Sequence, residues 1–335
     1  MSASGALAVT GASGFLGRHL CCEIQRRGLP LVALGRRAGE VSGAPVIDAG
    51  ENFCALAPSM LSGVQALVHC AARVHQLSEE RLGQAELQRA YREANVEAAL
   101  RCARAARAAH VRRFVFVSSV HVHARATPPA VTLTAASPMR PQSPYARSKA
   151  QAERALEQYC RDEGLELVIV RPTLVYGTGV KAKFAQLVDW VARGRPLPFG
   201  ALRRNRRSFV SAANLADLLI LTARHEKAAG RAWLAADAQP VSTAQLIEAI
   251  ARACGVRARN WPVPPALLRL GLALIGRSGV LEVLDGSLAV DIADNRNILG
   301  WQPPQTLEQG LAAMFEDEGP GRSGAAGRAQ KDLSS

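Results

Sequence analysis

The chain has 335 residues, 48% hydrophobic and 21% charged, which gives ample length for a core and an ordinary composition for a soluble α/β protein. Its seven cysteines are scattered and form no CxxC pair, which excludes a disulfide framework and a zinc ribbon. No apolar run reaches transmembrane length and no cleavable leader opens the sequence, so a reduced, cytoplasmic protein without stable membrane insertion is expected. The net charge is +13, but the arginines are dispersed and no basic helix is interleaved with aromatics. Nucleic acid is therefore not the expected partner; an arginine-rich background together with anionic small molecules accounts for the charge.

An apolar strand over 6–9 runs into Thr10-Gly11-Ala12-Ser13-Gly14-Phe15-Leu16-Gly17, and a helix is expected over 15–27, ending at Gly28. The three glycines are spaced for one task. Gly11 turns the chain, Gly14 lets it approach a pyrophosphate, and Gly17 lets the helix lie close on the sheet. Backbone N–H groups around Ser13, Phe15 and Leu16, with the helix dipole, then face the phosphates. The GxxGxxG spacing differs from the general GxGxxG fingerprint, and glycine-rich turns also arise for purely structural reasons. Placed between strand and helix, it reads as a nucleotide loop.

A second strand over 31–34 precedes Gly35-Arg36-Arg37, where NAD-binding folds usually carry an acidic residue for the ribose hydroxyls. Arg36 and Arg37 can instead pair with a 2′-phosphate, so NADP(H) is expected, with NAD(H) as the alternative. The bland reading is a solvated loop. A strand over 45–47 leads to Asp48, placed to accept from an adenine amino group. The strand over 66–68 runs into His69-Cys70-Ala71-Ala72, and small Ala71 and Ala72 suit a floor under a cofactor. A helix over 89–109 contains Asn95, read as a residue that anchors a neighbouring loop.

The continuous apolar strand over 114–117 is expected at the centre of a parallel sheet and ends in Ser118-Ser119. Residues 128–144 are proline-rich and loop-like. A helix then starts near Tyr145, and Tyr145 and Lys149 fall on one face at i and i+4. A phenol near pKa 10 is a poor acid–base catalyst at neutral pH, and a neighbouring ammonium favours its ionised form. A surface Tyr–Lys pair is the ordinary alternative. His121 and His123 alternate as on a strand and share a face in that reading; further metal ligands are lacking, so a substrate-facing or structural role is preferred and no metal is expected.

Beyond the strand over 167–170 and Arg171-Pro172, strand–helix alternation breaks down. Helices are expected over 184–192, 214–223 and 243–254, a strand over 232–235, and a packed helix rather than a membrane segment over 262–275. The fold class is thus α/β, a doubly wound parallel sheet. The expected division is a dinucleotide-binding domain over 1–172 and a substrate domain over 173–318 that partly returns to the sheet. A disordered tail over 319–335 completes it.

Taken in order, the glycine loop, Asp48, the 69–72 segment, Asn95, Ser118-Ser119, Tyr145-xxx-Lys149, Arg171-Pro172, Arg207-Ser208-Phe209-Val210 and Leu299-Gly300-Trp301 resemble the extended short-chain dehydrogenase/reductase family of epimerases, dehydratases and reductases. The resemblance implies Tyr145 as general acid/base, Lys149 on the nicotinamide ribose, Ser119 on the reacting oxygen, and Arg207 on a substrate diphosphate, with His121 facing substrate. It also implies pairing of the 89–109 and 146–161 helices in a homodimer. Two positions depart from the family's branches. Val120 and His121 stand where 4,6-dehydratases carry an acidic pair, and Leu174 where UDP-galactose epimerases carry Asn. Val180-Lys181-Ala182-Lys183-Phe184, the 190–198 segment and Asn205-Arg206-Arg207-Ser208 are similar to a bacterial polysaccharide branch that reduces UDP-4-keto-6-deoxy-N-acetylglucosamine. The expectation is an NADPH-dependent 4-keto reductase of a nucleotide sugar, with a nucleotide-sugar 4-epimerase as the alternative.

Overall fold

In the central strands, successive side chains enter different cores. In β1 (Ala6–Thr10), Leu7 and Val9 join one apolar cluster and Ala8 joins another. The same alternation divides Val115 and Val117 from Phe114 and Phe116 in β6 (Arg113–Val117). It also divides Val168 and Val170 from Leu167 and Ile169 in β8 (Glu166–Pro172). Strands apolar on both faces need cover on both faces. The computed structural model, which describes residues 5–74, 83–274 and 284–316, supplies it.

Eight strands form one sheet, in the order β11 (Arg231–Ala235), β8, β6, β5 (Val64–His69), β1, β2 (Leu31–Gly35), β4 (Ala44–Asp48) and β3 (Gly39–Val41). All pairings are parallel except β3 with β4. Helices α1 (Phe15–Arg26) and α6 (Ala212–Arg224) cover one face. On the other, α2 (Gln84–Arg92) continues through a π turn, Glu93–Glu97, into α3 (Ala98–Ala108), which packs beside α4 (Pro144–Glu163). The strand order reverses between β1 and β5, and ligands of such sheets bind outside the strand C-termini at that reversal.

The segment around Thr132 and much of the chain beyond β8 build a second layer of small elements. The two-stranded pairs β9 (Leu174–Tyr176) with β10 (Phe209–Ser211), and β7 (Thr132–Leu133) with β12 (Ala289–Val290), lie apart from the main sheet. Helices α5 (Ala182–Ala192), α7 (Thr243–Ala253) and Leu307–Glu316 share a third apolar cluster with Tyr176 and Phe209. A buried polar knot ties these parts together. The Tyr176 hydroxyl donates to Asp237 Oδ2 at 2.7 Å, and Asn214 Nδ2 donates to Asp237 Oδ1 at 2.7 Å and to the Gln305 carbonyl at 2.8 Å.

Several elements differ from expectation. The helix expected to open at 89 opens at Gln84; its opening residues, Gln84–Glu86, are exposed, and burial begins only at Leu87. The 128–144 loop contains β7, too short at two residues to show a period. Segment 262–275 forms α8 (Pro265–Leu274) as far as residue 274. Residue 275 and the 319–335 tail lie outside the described residues.

Candidate active site

The glycine loop forms a cradle that side chains would fill. Gly11 adopts φ +71°, and a Cβ there would sit 2.9 Å from Ala71 Cα. A Cβ on Gly17 would lie 2.1 Å from the Gly11 carbonyl oxygen, so α1 starts against the β1 turn itself. The helix has no side-chain cap, and the first-turn N–H groups of Phe15 and Leu16 have no intrahelical acceptors. Donors of this kind fit a pyrophosphate, and the chemistry a bound dinucleotide supplies here is hydride transfer. Ser13 lies in the loop, its carbonyl accepting from Arg18 Nε at 2.9 Å. Ala71 and Ala72 follow β5 beside Gly11, where a floor was expected.

At the far end of the expected groove, Arg36 and Arg37 follow β2 and are exposed. Arg36 lies 3.8 Å from the Glu51 carboxylate, a pair exposed on both sides. Asp48 closes β4 and accepts from the Gly50 N–H at 2.8 Å, which leaves its second oxygen outside that turn.

The reactive side chains converge on the C-terminal end of β6. Ser119 accepts from the His121 N–H at 3.2 Å and caps a short turn, Val120–Val122. Ser143 caps α4, Pro144 occupies its first turn, and Tyr145 follows. The Tyr145 hydroxyl lies close enough to Ser119 for the two side chains to interact. Burial pushes the phenol up to about 12, and Ser119 acts in the opposite direction. Lys149 is buried one turn further on; its Nζ donates to the Val117 carbonyl at 2.8 Å and lies 4.6 Å from the Phe116 ring centre. Burial brings Lys149 down to about 8, while Cys70 and Glu153 act to raise it. The Lys149 ammonium is thus engaged with the Val117 carbonyl, on the strand that leads into Ser119.

Asn95 does anchor a loop. It sits in the π turn, whose extra residue turns its side chain inward. Its Oδ1 accepts from the Arg73 N–H at 2.7 Å, and its Nδ2 donates to the Arg73 carbonyl at 3.1 Å and to Ser148 Oγ at 2.9 Å. The loop after β5 is thereby fastened to α4 between Tyr145 and Lys149.

The expected shared face of the two histidines is corrected. Residues 120–122 form a turn rather than a strand, so His121 and His123 do not share a face. His123 is buried, with Nε2 3.1 Å from Arg171 Nη1. His121 is half-buried, and burial first, then Arg207 and Arg125, hold its pKa down. Among the described residues no group of side chains could hold a metal ion. Arg207, also half-buried, donates from Nη1 to the Gly286 carbonyl at 3.1 Å; burial lowers its pKa, and Arg125 adds to this. Gly286 also lines a cleft of about 960 Å³ with Thr127, Arg204, Asn205, Arg269 and Asp285.

Sequence reasoning missed the buried support beneath these groups. Arg171 forms a two-pronged pair with Glu153, Nε to Oε1 at 3.0 Å and Nη2 to Oε2 at 2.6 Å, and Nη1 donates to the Ala135 carbonyl at 2.8 Å. His69 is fully buried among Phe53, Phe114 and Phe116, with Nδ1 2.8 Å from Thr10 Oγ1. Burial holds it down to about 3, with Lys149 adding to the effect, so it is neutral at physiological pH. The one available signal for Glu153 was its place four residues after Lys149, on the same helix face.

A doubly wound sheet, a glycine cradle at its reversal point and a Ser–Tyr–Lys cluster at the neighbouring strand end define a dinucleotide-dependent enzyme. The chain belongs to the NAD dependent epimerase/dehydratase family, whose profile matches residues 7–236. A UDP-glucose 4-epimerase of Vibrio cholerae is 36% identical over 309 residues, spanning 90% of this chain and 92% of its own. A 4-hydroxy-2-methyl-3-oxo-4-farnesyl-3,4-dihydroquinoline-1-oxide ketoreductase of Stigmatella aurantiaca is 29% identical over 346 residues, spanning 95% and 97%. Among solved structures, MoeE5 in complex with UDP-glucuronic acid and NAD superposes with a TM-score of 0.73 at 25% identity, covering 93% of this chain and 98% of its own. A UDP-N-acetylglucosamine 4-epimerase from Bacillus cereus superposes at 0.74 and 18% identity, covering 93% and 99%, which speaks to the fold.

Proposed function

We propose that this protein is a nucleotide-sugar 4-epimerase. The observation that carries the reading is the near full-length similarity to a UDP-glucose 4-epimerase at 36% identity. The site chemistry is compatible with it. Epimerisation at C4 needs one group to take the hydroxyl proton and return it after the keto sugar has turned, and bound NAD(P) supplies the matching hydride chemistry. Tyr145 is the proton-transfer group in this reading, and Ser119 holds the same oxygen. Lys149 binds the nicotinamide ribose, and Arg207 binds the substrate diphosphate beside His121. Dehydration needs a further acid and base, and Val120, fully buried, and His121 stand at those positions.

The cofactor proposal is finer. Arg36 and Arg37 support a 2′-phosphate and hence NADP(H), whereas the MoeE5 complex contains NAD. The outer faces of the α2–α3 segment and α4 are the surfaces we propose for a homodimer. A second reading, reduction of a 4-keto sugar with consumption of NADPH, draws on the ketoreductase similarity and on the polysaccharide-type motifs of the second half. One experiment separates the two. The protein as purified, without added cofactor, is incubated with UDP-glucose and with UDP-N-acetylglucosamine, and the products are read by NMR. Conversion to the 4-epimer supports epimerisation. No conversion, together with stoichiometric NADPH loss on a UDP-linked 4-keto sugar, overturns it in favour of reduction.

A further inference from the structure

The stretch over 262–275 is expected from sequence as a packed helix, and over its residues 262–270 only one side packs. Leu268 is 8% exposed and joins a small cluster with Leu202, against which Val263 and Leu284 rest. Its neighbours turn the other way. Trp261 is 63%, Leu267 59% and Leu270 60% exposed, the largest exposures among the big apolar side chains of the described residues. Leu267 and Leu270 are one turn apart on α8 and therefore adjoin. Trp261 is no loose end. Its N–H donates to the Leu197 carbonyl at 2.7 Å and its carbonyl accepts from the Gly200 N–H at 2.9 Å, so the backbone is pinned and the ring is held outward.

The stretch that carries these residues is charged with one sign, and two of its arginines, Arg257 and Arg259, have no acidic partner among the ion pairs of the described residues. Residues 251–274 contain Arg252, Arg257, Arg259 and Arg269 and no Asp or Glu. Arg257 and Arg259 are exposed immediately before Trp261, and Arg269 is exposed between Leu267 and Leu270. Of these four, Arg269 meets Asp285 at 3.1 Å and Arg252 lies 3.6 Å from Glu308 across an exposed gap. A rim of outward Trp and Leu set among arginines matches the two layers of a lipid surface. Apolar side chains enter the acyl boundary, an indole sits at the headgroup level, and guanidinium groups meet anionic headgroups.

We infer that the Trp261, Leu267 and Leu270 rim is a peripheral docking surface for an anionic lipid bilayer. Pro265 and Arg269 of the same helix line the 960 Å³ cleft, so docking brings the cleft mouth to the headgroup layer. The helix lies on the surface and does not span it; no described helix is long and apolar enough to cross a membrane. The inference is independent of which reaction the cleft supports.

The test is flotation of the full chain with phosphatidylcholine vesicles, with and without phosphatidylglycerol. Binding is expected only with phosphatidylglycerol, falling as salt rises, with a blue shift of the Trp261 emission that Trp261→Phe removes. Arg257→Gln and Arg259→Gln should each weaken binding about fivefold. The triple variant Trp261→Ser/Leu267→Ser/Leu270→Ser should abolish it while turnover of soluble substrate is unchanged. These five residues sit on the surface, and circular dichroism verifies that both sets of variants are folded. Binding indifferent to lipid charge, no binding to either vesicle, or binding retained in the triple variant overturns the inference. So does a triple variant whose only effect is to convert a dimer to a monomer, which would make a second copy the occupant.

Discussion

Glu153 and Arg171 allow a quantitative test of how the site is held. Glu153 is fully buried and Arg171 is 4% exposed, so neither charge has water to fall back on. Removing one partner of a buried pair leaves an unmatched charge and costs about 3–5 kcal/mol. Against a total stability of about 5–15 kcal/mol, Glu153→Leu should take a large share. Removing both charges should cost less. The double variant Glu153→Leu/Arg171→Met has no orphan charge, and its main deficit is the Ala135 carbonyl and His123 ring left without their donor, about 1–3 kcal/mol. Urea unfolding of the two single variants and the double, followed by circular dichroism and tryptophan fluorescence, gives the coupling energy. A coupling of about 2 kcal/mol or more is expected, with the double variant more stable than Glu153→Leu alone. A Glu153→Leu loss below about 1 kcal/mol, or strict additivity, would refute the claim that this pair locks α4 onto β8.

Three further outcomes follow from the site. Tyr145→Phe should lower turnover by about 10²–10⁴-fold while dinucleotide binding, measured by calorimetry, is kept; unchanged turnover removes Tyr145 from the chemistry. Lys149 loses its proton near pH 8, and its charge is present below that value, so kcat/KM should fall as pH rises through about 8. Glu153→Gln removes a group that raises the Lys149 pKa and should move this limb to lower pH, and Lys149→Met should abolish it; a limb that stays fixed in both variants contradicts the assignment. Arg36→Asp should shift cofactor preference from NADP toward NAD by about tenfold at most, because the side chain is solvent-screened; wild-type protein that binds NAD more tightly than NADP in calorimetry counts against the role of Arg36 and Arg37.

What was legible in the sequence was local. The glycine loop depends on three backbone positions within seven residues, and Tyr145 and Lys149 share a face because a helix repeats every 3.6 residues. Apolar runs at 114–117 and 167–170 reported burial on both faces and hence the sheet. What was illegible depends on contacts between distant segments. The Arg171 network joins residues 18, 36 and 48 positions apart, and only the pairing of β6 with β8 and the packing of α4 over them brings these residues together. His121 and His123 were misread because alternation carries no sign of where a strand stops. Ser119 turns the chain by capping the next three residues, and that serine was read for its chemistry rather than for its backbone.

The cluster of Ser119, Tyr145 and Lys149 does not by itself distinguish an epimerase from a reductase. In both reactions a hydride moves at the carbon and a proton at its oxygen, once in a reductase and twice in an epimerase, first out and then back on the other face. Both use the same donor at the same oxygen. They differ in what happens to the keto sugar. An epimerase must hold it by a remote group while the ring turns, and a reductase needs a single orientation. The remote group must bind the nucleotide end in both orientations, and the cleft must have room for the sweep. Arg207, a guanidinium fork held on the Gly286 carbonyl, is the group proposed for the first. The second is a matter of volume. The 960 Å³ cleft lined by Gly286 falls within the range for small-molecule sites, about 300–1,000 Å³, and its lining includes neither Ser119 nor Tyr145. Its walls come from the 126–129, 201–205 and 285–287 segments and from Pro265 and Arg269 of α8, none of which contributes to the main sheet. Segments of this kind can change without disturbing the buried Glu153–Arg171 pair or the glycine cradle, and epimerases and a ketoreductase occur together among the relatives.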